Sequence, residues 1–405
     1  MNIIESEALE LLEFYKIKKY VTDFCHSNGA KNKASHISVF ENHDNLTTEL
    51  HRVSELKNTF SSDSFFPDIQ FQDFRKEASL LGLDGSMLTE EQFLLIKQAT
   101  EISNTAIRFL KNKKQTLPHL SQLADELEDN KIIINEIDRI IDFDATVKNS
   151  ASKELQKIRK DLSEKRRESD AKFDRQVNEL RKLGFIRDNE ESFFNGRRTL
   201  AVLVEYKSEV SGFVHNKSET GKTIFIEPGA TININNDIAE LEIDERREIN
   251  RILRELSDTL RPYAFQLKQY DELLIELDFL KAKAKFAQII NATLPSISAT
   301  SELKLSKAYH PILFLQNKEL KKNTVPLNIH LNAENHLVVI SGPNAGGKSI
   351  TLKTVGLLQT MLQSGLLVCV AENSVMSFFK HVLIDIGDTQ SIEHELSTYS
   401  ARLKN

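Results

Sequence analysis

Tryptophan is absent from this 405-residue chain, and cysteine nearly so. Cys25 and Cys369 lie far apart and form no C-x-x-C pair. That excludes a disulfide framework and gives no structural zinc spacing; two free, buried thiols in a reducing compartment fit the pattern. Glycine (14) and proline (8) are sparse, which excludes a turn-dense fold and favours long helices. Long apolar runs are missing too. "LLVCVA" (366–371) is among the strongest, and it is too short to cross a bilayer. The start, "MNIIESEALELLEF", has acids where a secretory signal needs a basic flank, so a cytoplasmic or nucleoid-associated protein is expected, with no membrane. Neither sign of charge dominates: 53 basic against 59 acidic residues leave a net −6. A basic nucleic-acid coat is thereby excluded, and any such surface must be local. What remains is a 40% hydrophobic, 28% charged chain, long enough for two or three domains.

Residues 1 to about 135 read as helices joined by polar loops near 26–35 and 61–70. In 88–114, Thr89 is an N-cap candidate, and Phe93, Ile96, Ile102, Ile107 and Leu110 recur at helical spacing. A charged helix is expected over about 151–183. Its apolar residues Leu155, Ile158 and Leu162 are separated by a polar gap from Phe173, Val177 and Leu180. A second is expected over about 237–290, with a heptad-like seam from Ile249 to Ala284 and a kink at Pro262. At 1.5 Å per residue the second would extend roughly 75 Å. So long a helix must lie against a partner, most simply the first, antiparallel; two separate helices in a bundle is the open alternative. Between them the period changes. "TLAVLVEY" (199–206), "VSGFVH" (210–215) and "TIFIE" (223–227) are strand-like, with a turn at "SETGK". Beyond 291 the pattern becomes α/β, with strands expected at 310–315, 325–331 and 336–342 and a helix over 349–365 closed by Gly365.

The chemistry concentrates in "SGPNAGGKSI". Gly342, Gly347, Lys348 and Ser349 satisfy G-x-x-x-x-G-K-[ST], with an expected strand before and helix after. Glycines let successive N–H groups turn inward around a phosphate, and the helix start adds a positive dipole end. Lys348 has the reach for β- and γ-phosphates, and the Ser349 hydroxyl suits Mg²⁺, so ATP with Mg²⁺ is the expected cofactor. Hydrolysis also needs a second acid. Asp385 ends the apolar "HVLID" but is followed by Ile386, so a metal-shell acid and an ordinary strand end both stay open. Residues 152–185 hold eleven Lys or Arg against seven acids, and 195–236 five against four. A solvated helix face and a phosphate-binding surface explain these equally.

"GPNAGGKS", with glycines paired at 346–347, "AYHPIL" (308–313), "GFVHNKSETGKTIFIEPGATININNDIAELE" (212–242) and "DIGDTQSIEHELSTYSARL" (385–403) together resemble the MutS family, more narrowly its second bacterial type. Tyr309 stands where the family's R-H-P segment has Arg. The resemblance implies a mainly α fold with α/β parts. A helical core (1–150) would precede a coiled-coil lever (151–290) with a clamp insert at about 190–236, and the N-terminal half of a P-loop ATPase domain (291–405) would follow. The family's Asp-Glu strand, switch His and nuclease domain would lie past residue 405, so the ATPase domain is expected to be cut within its middle. The resemblance also implies nucleotide contacts from Gly342, Pro343, Asn344, Ala345, Gly346, Gly347, Lys348, Ser349 and Ile350, and an adenine pocket near Tyr309 and His310. Ser397 and Thr398 would reach the nucleotide of the other subunit of a homodimer. The implied function is an ATP-dependent clamp on branched or mismatched DNA in repair or suppression of recombination. Full-length relatives add ATPase and endonuclease activity. Two alternatives stay open: rescue of collided ribosomes, and a structural coiled-coil protein with a vestigial ATPase half.

Overall fold

The computed structural model describes residues 4–61, 66–194, 196–219, 221–342 and 347–385, without the side chains of 187–190. In chain order the elements are α1 (Ser6–Leu11), α2 (Phe14–Phe24), α3 (Asn28–Ser35), α4 (His43–Thr59), α5 (Arg75–Leu81), α6 (Glu90–Asn112), α7 (Pro118–Ser121), α8 (Ile132–Ile140) and α9 (Lys153–Lys182). Strands β1 (Ile186–Phe194), β2 (Arg197–Leu203), β3 (Gly212–Lys217) and β4 (Thr223–Pro228) follow, then α10 (Gly229–Leu260) and α11 (Ala264–Ile289). The last are β5 (Ser296–Ser298), β6 (Leu303–Ala308), α12 (Pro311–Glu319), β7 (Leu327–Leu331), α13 (Lys348–Gln363) and β8 (Val375–Ser377). The fold is mainly helical with two small sheets. It divides into one unit of Met1–Lys76, Gln98–Asn130 and Gln266–Asn405, and another of Glu77–Lys97 and Lys131–Phe265.

The second unit contains the helix pair. Its members run antiparallel: Ser152, Arg159, Arg166 and Ser169 of the first strand of contacts meet Glu248, Glu245, Glu242 and Asn235 in descending order. The apolar seam is interrupted where the sequence has its polar gap. Between Leu162 and Phe173 no residue of α9 is buried. Polar rungs fill the gap, with Lys165 Nζ to Asp237 Oδ2 at 2.6 Å and Ser169 Oγ donating to Asn235 Oδ1 at 2.8 Å. Beyond the gap, Phe173, Val177 and Leu180 pack with Ile186, Leu200, Val202, Val210, Ile224 and Ile226. That cluster seats the sheet, ordered β1-β2-β4-β3 and antiparallel throughout, on the end of the pair.

The kink expected at Pro262 in the helix over 237–290 is a full break between two helices. The α-helix stops at Leu260, passes through a 3₁₀ turn at Arg261–Tyr263 containing Pro262, and resumes at Ala264. Proline lacks the N–H that would continue the ladder. Only α10 lines α9. In α11, Leu267, Tyr270, Leu273, Leu274, Leu277, Leu280, Ala284 and Phe286 are all buried, while Phe265 and Glu272 are exposed. So broad a buried face belongs to a helix set into a core.

The first unit is built around α11. Asp278 is buried and accepts from His26 N (3.0 Å), Ser27 N (2.8 Å) and Ser27 Oγ (2.9 Å). Ser27 in turn caps α3 by accepting from Ala30 N at 3.1 Å. The loop expected at 26–35 is therefore mostly helix, capped and with Ala30 and Ala34 buried one turn apart. Thr89 does cap α6: its Oγ1 accepts from Gln92 N (3.4 Å), and Gln92 Oε1 accepts from Thr89 N (3.0 Å), a reciprocal capping box. Two expected strands fail. Residues 311–319 form α12, because Pro311 sits at its first turn and His310 caps it. Residues 336–342 carry no strand, and Leu337 and Val339 are 73% and 81% exposed. An apolar run becomes a buried strand only when neighbours supply ladder partners. Among the described residues, the second sheet, β5-β8-β6-β7, does not include it.

Candidate functional site: the loop before α13

Helix α13 begins at Lys348 with Gly347 as its N-cap in the left-handed region (φ 85°). Gly342 has φ 152°, and a Cβ on Gly347 would meet Ile350 Cγ2 at 3.4 Å. Lys348 Nζ donates back to the carbonyl of Gly342 at 2.5 Å, joining the two described ends of the motif. Ser349 and Ile350 are exposed on the first turn. Thr351 N and Oγ1 both bond Gly347 O at 3.0 Å, which locks the start of the helix. Its far end closes as expected. Leu366 N reaches Met361 O (3.0 Å) and Gly365 N reaches Leu362 O (2.9 Å), with Gly365 left-handed at φ 70°. Pro343, Asn344, Ala345, Gly346, Ser397 and Thr398 lie outside the described residues.

His310 is 7% exposed, and its Nδ1 accepts from Leu313 N at 3.4 Å. Burial pushes its pKa down to about 4, against a smaller upward pull from Glu13; Lys353 and Lys16 push further down. The structure thus brings His310 within electrostatic reach of Lys353, on the second turn of α13. Neither Lys353 nor Glu13 was singled out from sequence. Lys353 follows Ser349 at the i,i+4 spacing that a helical wheel could have flagged; Glu13 is far away in the chain and gave no signal. Tyr309 packs on Phe314 (ring centroids 5.7 Å apart). Asp385 is exposed and shares a cleft of about 430 Å³ with Leu352, Val355 and Gly356 on the flank of α13. The apolar stretch before it forms a single bridge, Val382 to Ile4, and no strand among the described residues.

Acid should weaken the fold through His310. Its folded pKa lies below the unfolded value of 6.5, so the unfolded chain binds the extra proton between pH 6.5 and 4. Stability from this group is full above 6.5 and drains away as pH falls, by on the order of 3 kcal/mol. Asp271 opposes it: burial pushes its carboxyl up to about 6, so its contribution is lost as pH rises through 6. A His310→Gln variant should therefore show a flatter loss of melting temperature from pH 6.5 to 4 than the parent. Parallel curves would refute the assignment.

The basic residues singled out earlier are largely engaged inside the second unit. Arg198 bonds Asp170, Asp174 and Glu191 at 2.8–3.0 Å and lies 4.1 Å from the Phe173 ring centroid. Arg197 makes two bonds to buried Glu227 (3.0 and 3.1 Å), which also accepts from Asn235 Nδ2 (2.8 Å) and pairs with His215 Nε2 (2.8 Å). Arg159, Lys165 and Arg166 pair with acids of α10. Lys207, Lys217 and Lys222 of the small sheet module are exposed. Both cysteines are free and buried; burial pushes the Cys25 thiol up to about 12 and raises Cys369 as well, so neither is a ready thiolate. No group of three or more His, Cys, Asp or Glu among the described residues could hold a metal. No helix among them is long and apolar enough to cross a membrane.

No family model matches the chain. Curated proteins do. It is 33% identical over 406 residues to an Endonuclease MutS2 of Lactobacillus johnsonii, covering 99% of this chain and 50% of that protein. The corresponding protein of Pediococcus pentosaceus is 32% identical over 410 residues, and that of Clostridium botulinum 34% over 408, each covering 99% of this chain. The chain is MutS2-like. The MutS2 resemblance thus runs through the helix pair, the small sheet and the loop before α13 alike. The chain spans about half the length of the curated MutS2 proteins it matches.

Proposed function

We propose that this chain is the nucleotide-binding and DNA-gripping part of a MutS-type clamp. The observation that carries the reading is the start of α13: a left-handed Gly347, a Lys348 ammonium bonded to the Gly342 carbonyl and an exposed Ser349 at a helix N-terminus. On binding ATP, Lys348 exchanges the Gly342 carbonyl for β- and γ-phosphate oxygens. The N–H groups of Gly342 and of Asn344 through Ile350 would enclose the phosphates, Pro343 having none to give. Ser349 would hold Mg²⁺, which supplies charge neutralisation at the phosphates. The adenine side falls near His310, and Ser397 and Thr398 act on the nucleotide of a second copy.

DNA contact is assigned to the sheet module on the helix pair, through Lys207, Lys217 and Lys222. Phosphate neutralisation by these three gives a log–log salt slope of about −3 for duplex or branched DNA. Replacing all three with Gln should flatten the slope; retention unaffected by salt would count against the reading.

ATP titration tests the loop. At a hundredfold excess over Kd, a bound nucleotide stabilises the fold by about 2.7 kcal/mol. Thermal melting should show that shift in the parent and lose it in Lys348→Ala. An equal shift in both removes the loop from the account.

A further inference from the structure

A second cavity of about 540 Å³ opens at the other end of α13, lined by Ser364, Phe40, Glu49, Lys283, His36 and Phe279 among others. Its polar groups are unusual for a surface hollow. Lys283 and Glu49 are 2% and 7% exposed, and Nζ bonds Oε1 at 2.5 Å. Lys283 Nζ also sits 4.3 Å from the Phe279 ring centroid. Ser364 is 1% exposed, and its hydroxyl has no hydrogen-bond partner among the described residues. A buried hydroxyl without a partner costs about 1–3 kcal/mol unless something supplies one. Phe40, half-buried, is held in place by its N–H donating to Gln363 O at 2.8 Å.

We propose that this cavity binds a neutral nucleobase or nucleoside carrying a lactam edge, as guanine and uracil do. Charge excludes ions. An anion would meet Glu49 and the carbonyl end of α13, and a cation would meet Lys283 and Lys33. A donor and an acceptor lie side by side in the Lys283–Glu49 pair. A lactam offers the complement, a carbonyl oxygen for Lys283 and an adjacent N–H for Glu49. The Ser364 hydroxyl donates to the same carbonyl, and Phe40 offers its ring face to the base. The site is independent of the phosphate loop.

Titration of the full chain with guanosine, uridine, adenosine and cytidine, followed by calorimetry, tests this. Guanosine or uridine should bind with Kd at or below about 1 mM, and adenosine and cytidine at least tenfold more weakly. Ser364→Ala, which removes only the orphan hydroxyl and relieves its cost, should melt at or above the parent's temperature and bind guanosine or uridine about tenfold more weakly. Phe40→Leu should weaken binding as well. Binding should persist in Lys348→Ala, which separates this cavity from the loop. No binding by any nucleoside, equal affinity for adenosine and guanosine, indifference to Ser364→Ala, or loss of binding in Lys348→Ala each overturns the proposal.

Discussion

Replacing Lys283 with Met is expected to lower the unfolding free energy by about 3–5 kcal/mol. The loss comes mainly from what stays behind. Glu49 is 7% exposed, and its Oε1 would lose its partner at 2.5 Å. A carboxylate without a counter-ion in such a place is far costlier than a missing attraction. The second replacement tells the two apart. Adding Glu49→Leu to Lys283→Met should recover most of the loss, because two apolar groups of similar volume satisfy each other. Urea melts of the parent, both singles and the double measure it. A single-variant loss below about 1 kcal/mol, the range of surface pairs, would mean that the pair is solvated after all.

Gly212→Ala should undo one edge of the small sheet. Gly212 pairs with Pro228 in the β3–β4 ladder, and an added Cβ would lie 2.2 Å from the carbonyl oxygen of Glu227 and 2.6 Å from Ile226 Cγ2. The first obstacle is backbone, so the strands must part. Overpacking of this kind costs about 3 kcal/mol. The bonds of Arg197, His215 and Asn235 to Glu227 would loosen with it. Hydrogen exchange should show amides of β3 and β4 losing protection while those of α11 keep theirs. Gly221→Ala is the control: a Cβ there meets nothing within 4 Å, and only the left-handed φ of 67° opposes it, at about 1 kcal/mol. Equal effects at the two positions would refute the steric argument.

What the sequence revealed and concealed follows from range. β2, β3 and β4 were legible because β-branched and aromatic residues crowd short runs between turn residues. α13 was legible because a phosphate-loop pattern dictates the helix that follows it. β1 was missed: Arg187, Asp188, Asn189, Glu190 and Glu191 give no strand pattern, and the pairing with β2 overrides it. α3 and α12 were misread because a capping serine in one and a proline at the first turn in the other look like loop and strand ends. The run at 336–342 was misread in the other direction, since apolar residues cannot by themselves provide a ladder. In the candidate site, the helix start at Lys348 was legible and the electrostatic neighbours of His310 were only partly so. The engagement of Arg198 with Asp170 and Asp174 was invisible, being a matter of tertiary folding.

The interrupted seam between α9 and α10 makes the pair uneven along its length. Both ends are clasped by oily side chains, whereas the stretch from Leu162 to Phe173 is joined by wet rungs such as Lys165–Asp237. Raising the ionic strength slackens that midsection and leaves its clasps untouched. Strain arriving from either end would be absorbed there first, so the helix pair bends like a rod with one softened segment.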